Sequence, residues 1–370
     1  MLKGYIEGYY GRFFSAEERS EVLNHMGQLN MDFYLYGPKE DRYHRIDWDK
    51  PYPAPEETNL KSFIRQSNKN SIKPIFAISP GLKLNKYSNK TKKSLIDKVT
   101  QARKIGFKDF AIFFDDIDHD RNEALSKTHL KVIEDVASIK GIARNALMVC
   151  PTVYCKSFAK GDVRDNEYLQ VMSENIDPTI QILWTGDEVV SKKIPIKSLR
   201  DLQNLFKNPI IIWDNFYAND YCPSRFFIGP YIGRKSLDKS VAGIGINPTG
   251  MPMTDKICLE RFVSSKTDRQ ILKSYQVPES FMKLLPFFSS PFERNQNLNE
   301  KRIDQLLSTQ NDLCIEWKSE LQLEWSPFLW RFYLDLILLK KINKADSKFN
   351  LEDWLQRRYS DPLKKTILRN

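Results

Sequence analysis

Eight short apolar runs, separated by polar stretches, occupy residues 4 to 248, and this alternation constrains the chain more than any other feature. The runs are Gly4–Gly8, Asp32–Tyr36, Pro74–Ser79, Asp109–Phe114, Ala146–Cys150, Gln181–Trp184, Pro209–Trp213 and Ala242–Ile246. Several gaps carry helix signals. Ser15-Ala16-Glu17-Glu18 is a capping box, and Gly27 suits the far end of that helix. Leu95, Val99 and Ala102 share a helical face ahead of Gly106, and Leu130, Ile133, Val136 and Ala137 repeat the pattern. Eight strand–helix units predict an α/β chain folded as a (β/α)8 TIM-type barrel, with a doubly wound open sheet as the competing arrangement. Residues 216–241 break the regularity. They are rich in aromatics, Gly and Pro and show no helix pattern, and long loops of this kind more often carry function than fill space.

The character changes after Pro248. Leu306-Leu307, Cys314, Trp317, Leu321, Trp330, Leu334, Ile337 and Leu338 fit helical spacing, with turns expected near Pro278, Pro286 and Pro291 and a break at Pro327. The expected division is a barrel over 1–250 and an α-helical C-terminal region over 251–370. The most apolar tract, Phe328 to Leu339, is interrupted by Arg331 and Asp335 and is shorter than the about 20 residues a bilayer needs. It reads as a core helix, so no membrane partner is expected.

The formal charge is +10, yet no dense basic run occurs. Lys90, Lys92 and Lys93 are split by Thr91, and Lys340-Lys341 stand alone. A spread positive balance reads as a solvated surface, and no nucleic-acid partner is expected. The five cysteines are odd in number and form no Cys-x-x-Cys pair. Neither a disulfide framework nor a zinc site is expected, and reduced thiols suit a cytoplasmic protein. Met1-Leu2-Lys3 leads directly into the first apolar run, with no basic-then-apolar leader pattern.

Chemistry points to Asp115-Asp116. These carboxylates close the run Phe110–Phe114 and are followed by Ile117-Asp118-His119-Asp120. Adjacent carboxylates push each other's pKa values apart, so one tends to stay ionised while the other keeps a proton, as an acid–base catalyst needs. In a barrel the active site lies at the carboxyl ends of the strands. Those ends carry Gly8, Lys39, Thr152, Tyr154, Trp184, Asp214, Asn215, Asn219, Asp220, Tyr221 and Asn247. Amides, carboxylates, a lysine and aromatic faces on one rim suit a polyhydroxylated ligand such as a sugar.

The motifs appear in a specific order: Gly-Tyr-Ile-Glu-Gly-Tyr-Tyr-Gly-Arg (4–12), Phe-Tyr-Leu-Tyr-Gly-Pro-Lys-Glu-Asp (33–41), Phe-Ala-Ile-Phe-Phe-Asp-Asp-Ile-Asp-His (110–119), Cys-Pro-Thr-Val-Tyr-Cys (150–155), Trp-Thr-Gly (184–186), Trp-Asp-Asn-Phe-Tyr-Ala-Asn-Asp-Tyr (213–221) and Ile-Asn-Pro (246–248). Over roughly residues 3–250 the chain resembles glycoside hydrolase family 84, the O-GlcNAcase and hyaluronidase-type β-N-acetylglucosaminidases. The resemblance implies retaining exo-hydrolysis of terminal β-linked GlcNAc, in which the sugar's own 2-acetamido oxygen attacks the anomeric carbon to form an oxazoline. It implies no cofactor and no metal, and a GlcNAc-bearing glycoconjugate or glycoprotein as the substrate; it says nothing of oligomeric state. By position, Asp115 matches the residue that polarises the acetamido N–H, and Asp116 the general acid and base. An ionised Asp115 is expected to hold the proton on Asp116. Gly8 would offer its carbonyl and let the sugar approach, and Lys39 and Asn247 would bind ring hydroxyls. Asp220 would take the outer hydroxyls, and Asn215 would support the acetamido group or the catalytic pair. Tyr154 would position the acetamido oxygen, and Trp213 and Tyr221 would wall its pocket. Phe13-Phe14, Gly37, Glu40 and Val153 depart from the family's pattern, which leaves the leaving-group side open.

Two rivals are weighed against this reading. A metal-dependent enzyme would use the Asp115, Asp116 and Asp118 cluster, but the rim has few spare carboxylates. A non-catalytic GlcNAc-binding module would need no carboxylate pair.

Overall fold

The computed structural model of the chain describes residues 1–234, 237–292 and 298–342. All eight expected strands form: β1 (Leu2–Glu7), β2 (Phe33–Tyr36), β3 (Lys73–Ile78), β4 (Asp109–Phe113), β5 (Leu147–Cys150), β6 (Gln181–Trp184), β7 (Ile210–Asp214) and β8 (Gly243–Ile246). They pair in parallel, in sequence order, and β8 closes on β1, so the sheet is a barrel rather than an open, doubly wound one.

Six helices cover the crossovers: α1 (Ala16–Gln28), α2 (Ala54–Lys69), α3 (Asn89–Ile105), α4 (Glu123–Ala137), α5 (Glu167–Asn175) and α6 (Ile196–Leu205). Ser15 caps α1 in a complete capping box with Glu18. Gly27 does not end that helix; it lies inside it, and Asn30 takes the left-handed position beyond the cap. Asn suits that conformation because its short side chain can bond locally. Gly106 closes α3 with φ +131°, as expected. Among the described residues, the β7–β8 connection holds only a 3-10 turn at Leu237–Lys239.

Side chains alternate along each strand, and the inward set fills the barrel. Ile6, Phe33, Leu35, Ile75, Ala77, Ala111, Phe113, Met148, Leu183 and Ile211 form this core. Gly4 and Gly245 flank Phe33, and a Cβ on Gly4 would lie 2.3 Å from its ring. The small residues on β1 and β8 therefore accommodate a large one on β2.

By chain contacts the protein divides into residues 1–216 with 232–247, and residues 217–231 with 248–370. This differs from a single cut at residue 250 in giving segment 217–231 to the second unit. That unit contains α7 (Pro252–Val263), α8 (Asp268–Ser274), α9 (Leu285–Phe288), α10 (Glu300–Leu307) and α11 (Glu320–Ile342); residues 343–370 of the expected helical region lie outside the described ones. Pro327 does not break α11 but sits inside it. The residues expected at helical spacing in α11 do not share one environment. Leu321, Trp325, Leu329, Phe332, Tyr333 and Leu336 are buried, whereas Trp330, Leu334 and Ile337 are exposed. Both sets fit helical spacing, so periodicity alone could not choose between them.

Candidate active site

Strand β4 stops at Phe113, but its alignment with β5 continues one residue further. Phe114 N–H donates to Cys150 O at 2.9 Å, and Thr152 Oγ1 donates to Phe114 O at 2.8 Å. Behind this corner the His129 ring stacks on Phe114 with centroids 3.8 Å apart. Burial lowers the His129 pKa to about 3, so the ring is neutral and its Nδ1 can accept from Tyr168 Oη at 2.9 Å. Tyr168 Oη in turn accepts from Thr152 N–H at 3.1 Å. The corner is thus fixed before the carboxylates begin.

Asp115 is buried, and Asp116 adopts φ +52°, in the left-handed region. Two adjacent strand residues would face opposite ways; the end of the strand and the left-handed turn free Asp116 from that alternation. Such a conformation costs of order 1–3 kcal/mol outside glycine and persists only where the surroundings hold it. Here two phenols do so: Tyr10 Oη and Tyr154 Oη donate to the Asp116 carboxylate at 2.7 and 2.8 Å. The Arg45 guanidinium lies over the Tyr10 ring, 5.2 Å from its centroid.

Asp115 has a different partner. Its Oδ2 pairs with Lys39 Nζ, itself buried and set 5.5 to 5.8 Å from the ring centroids of Phe113, Tyr10 and Trp213. Asp115 Oδ1 is buried with no hydrogen-bond partner in the protein.

The surroundings shift the two carboxyls in opposite directions. Burial pushes the Asp115 carboxyl above its ordinary value, against the pull of Lys39. Asp116 is exposed at the rim but still crowded enough for dehydration to work upward on it. The Lys39 charge, the two phenol hydrogen bonds and Arg45 outweigh that and hold Asp116 below the ordinary carboxylate range. Both phenols are raised well above their ordinary value, first by burial and then by Asp116, so they remain donors. Asp116 is thus the carboxylate with hydrogen-bond donors, while Asp115 is paired with Lys39.

A second network lines the mouth beside this pair. Gly8 N–H donates to Asn247 Oδ1 at 3.1 Å, and Asn247 Nδ2 donates to Asn215 Oδ1 at 2.9 Å. Trp213 Nε1 donates to the same oxygen at 2.9 Å, while Asn215 Nδ2 donates to Val189 O at 2.8 Å. Asn215 is therefore the hub that sets the Trp213 indole and the Asn247 amide. A Cβ on Gly8 would lie 2.3 Å from the Trp213 ring, so the missing side chain makes room for that indole. Below, Asp214 is buried in a bidentate pair with Arg234 at 2.6 and 2.7 Å.

Of the residues expected at the site, the structure brings together Gly8, Lys39, Asp115, Asp116, Tyr154, Trp213, Asn215 and Asn247 in the first unit. Asp220 and Tyr221 belong to the second, where Asp220 Oδ1 accepts the Tyr221 N–H at 2.9 Å and the Tyr221 ring is exposed. Sequence reasoning missed the roles of Tyr10 and Arg45. Tyr10 lay inside the Gly4–Arg12 motif, but nothing in its spacing pointed across the barrel to β4. Among the described residues no group of three or more His, Cys, Asp or Glu side chains is placed to hold a metal ion. The Asp115–Asp118 run does not form one, because Lys39 occupies the inner carboxylate.

Residues 3–298 match the protein family described as beta-N-acetylglucosaminidase. The chain belongs to this family. That agrees with the resemblance to glycoside hydrolase family 84 read from the motifs. The chain is similar to the proteins named Protein O-GlcNAcase of Mus musculus and Rattus norvegicus, each 36% identical over 256 residues. The match covers 67% of this chain but 28% of either relative, so the chain spans under a third of their length. The solved structure titled "Structure of CpGH84B" superposes with a TM-score of 0.69 at 24% identity, covering 96% of this chain and 65% of that one, and supports the fold. No described helix of this family member is long and apolar enough to cross a membrane.

Proposed function

We propose that the protein is a retaining exo-β-N-acetylglucosaminidase that removes terminal β-linked GlcNAc by substrate assistance. The observation that carries this reading is Asp115 Oδ1, a buried carboxylate oxygen with no partner, one residue from an exposed carboxylate held by two phenols. A buried unpaired acceptor is costly unless something donates to it. An acetamido N–H is such a donor.

In this reading the acetamido oxygen attacks C1 as the bond from C1 to the leaving oxygen breaks. Asp116 delivers its proton to that oxygen, and Asp115 stabilises positive charge on the acetamido nitrogen of the oxazolinium. The Asp116 carboxylate then takes a proton from water, which attacks C1 and reopens the ring with β configuration retained. No enzymic nucleophile is needed, an exception to the usual pair of carboxylates in retaining glycosidases.

The Asp116 carboxyl, held low in the free site, must rise on binding if it is to donate a proton. An N–H donated to Asp115 favours its anion, and a sugar laid over Asp116 dehydrates it and draws Tyr154 toward the acetamido oxygen. Both changes raise Asp116 and let it hold a proton. The alkaline limb of kcat, which reports the complex, should therefore lie about one pH unit or more above that of kcat/KM, which reports the free enzyme. Coincident limbs would contradict this rise.

Asn247, Asn215 and Lys39 are proposed to bind or set the sugar, while the roles of Asp220 and Tyr221 rest on the motif resemblance alone. A cytoplasmic setting and a glycoprotein or other glycoconjugate substrate are part of the proposal. The decisive experiment is a panel of aryl and alkyl glycosides assayed with and without EDTA, together with a thiazoline mimic of the oxazoline. Hydrolysis of β-GlcNAc glycosides that survives EDTA and is blocked by the thiazoline supports the reading. Indifference to the thiazoline removes substrate assistance, and inertness toward every β-GlcNAc conjugate removes the activity.

A further inference from the structure

A second cavity lies in the barrel unit, bounded by the segment between β1 and α1, the segment after β2 and the first turns of α2. Its volume is about 490 Å³, inside the range of about 300–1,000 Å³ for small-molecule sites. None of the residues assigned to the sugar or to the carboxylate pair lines it. Its floor is apolar, because Phe14, Tyr36, Tyr52, Leu60 and Phe63 are all buried. Phe13 also lines the cavity and is 51% exposed.

Six charged side chains face this space, four acids and two arginines. Five of them are already matched within the protein. Arg19 donates from Nε and Nη2 to Glu7, and Arg42 pairs with Asp47. Asp41 accepts from the hydroxyls of Tyr36 and Tyr52, at 2.8 Å each, and from the N–H groups of Tyr43 and His44. Glu18 accepts the Ser15 N–H and Glu40 the Gly11 N–H, both at 2.8 Å. Glu56 is the exception, for its Oε2 is buried with no hydrogen-bond partner in the protein. The local sequence explains why. Glu56 is the third residue of α2, the position from which a capping-box glutamate reaches back to the N–H of the capping residue. That residue is Pro53, which has no N–H to donate.

We infer that this cavity binds an organic ammonium ion, a primary amine on an apolar body, with the charge at Glu56 and the body against Phe13 and the floor. The inference does not depend on the glycosidase reading. Three observations select the ligand. An anion finds no donor to spare, since both guanidinium groups are committed to other carboxylates and the acids outnumber the arginines. A sugar needs many directional partners, whereas the polar groups here are mostly filled and the floor is apolar. A metal ion needs several ligands in one cluster, and among the described residues no group of three or more His, Cys, Asp or Glu is placed to hold one. An ammonium supplies the charge-assisted donors that Glu56 lacks, and its apolar body leaves water for aromatic surface.

Isothermal titration calorimetry of the full chain tests this with three probes that share one body: phenethylammonium, 2-phenylethanol and phenylacetate. The ammonium should bind about tenfold more tightly than the alcohol, because only it makes a charge-assisted bond. Its affinity should fall as salt rises, and the carboxylate should not bind. Glu56→Gln should abolish the tenfold preference and leave the alcohol unchanged. Phe13→Ala should weaken the ammonium and the alcohol alike, by about fivefold, through lost apolar contact. This variant, at a half-exposed position, decides the matter should Glu56→Gln fail to fold. Nα-acetyl-lysine methylamide, run beside phenethylammonium, separates a lysine side chain from a free amine as the source of the ammonium; the tighter binder identifies it. Equal affinity of the wild type for the ammonium and the alcohol overturns the proposal. So does an ammonium preference that survives Glu56→Gln, or an ammonium affinity that Phe13→Ala leaves unchanged.

Discussion

Two buried ion pairs stand at neighbouring positions of the same barrel, and they are built to opposite ends. Behind β1 and β2, Glu7 is fully buried and accepts from Arg19 Nε and Nη2 at 2.9 and 2.8 Å and from Tyr34 Oη at 2.7 Å. Arg19 also donates to Phe14 O and lies over the rings of Phe13 and Tyr36. At the mouth, Lys39 pairs with Asp115, but Asp115 keeps one buried oxygen unpartnered and its neighbour Asp116 holds a left-handed conformation. The first pair is saturated with hydrogen bonds and the second is not. Burial alone does not distinguish a structural ion pair from a functional one; unfilled hydrogen-bonding capacity does.

The comparison breaks most visibly at Asp116. Asp116→Asn should cut kcat/KM on glycosides with poor leaving groups by about 10²–10⁴, the range for general acid catalysis, and should spare activated aryl glycosides at the first step. Equal losses on both would remove the proton-donor role. Asp115→Asn should instead cost about 10²–10³ on every substrate, including the activated ones, because it removes charge stabilisation in the transition state. Unchanged aryl rates would sink that assignment.

Glu7→Gln probes the saturated pair. Removing one partner of a buried ion pair costs about 3–5 kcal/mol. The expected result is a marked fall in Tm, read by calorimetry, with kcat/KM of the folded protein little changed. A catalytic defect without lost stability would erase the distinction drawn between the two pairs. The smallest effect is expected from Tyr10→Phe. It deletes one charge-assisted hydrogen bond to the Asp116 anion, worth about 1.5–3 kcal/mol at most. The Asp116 pKa should rise, moving the alkaline limb of kcat/KM upward by about one unit while the aryl-glycoside kcat at low pH holds. A limb that stays in place would mean Tyr10 does not govern this carboxylate.

The two carboxylates were legible in the sequence because adjacent acids at the end of a buried strand are costly to keep unless the chemistry uses them. Their separate surroundings were not legible. Tyr10 and Lys39, from the ends of β1 and β2, reach across to Asp116 and Asp115, and a pKa depends on distances that spacing along the chain does not encode. The same limit applied to α11, where two apolar faces share one periodicity and only packing chose between them.

By itself, the sequence determined the eight strands, their helical crossovers and the acids at the end of β4. Those features follow from local periodicity and from the need to cover a parallel sheet on its outer face. Tertiary structure decided which apolar face of α11 is buried, that segment 217–231 groups with the helical unit, and which partners each carboxylate meets. Each of these depends on groups far apart in the chain meeting at a few ångströms, where hydrogen bonding and dehydration are settled.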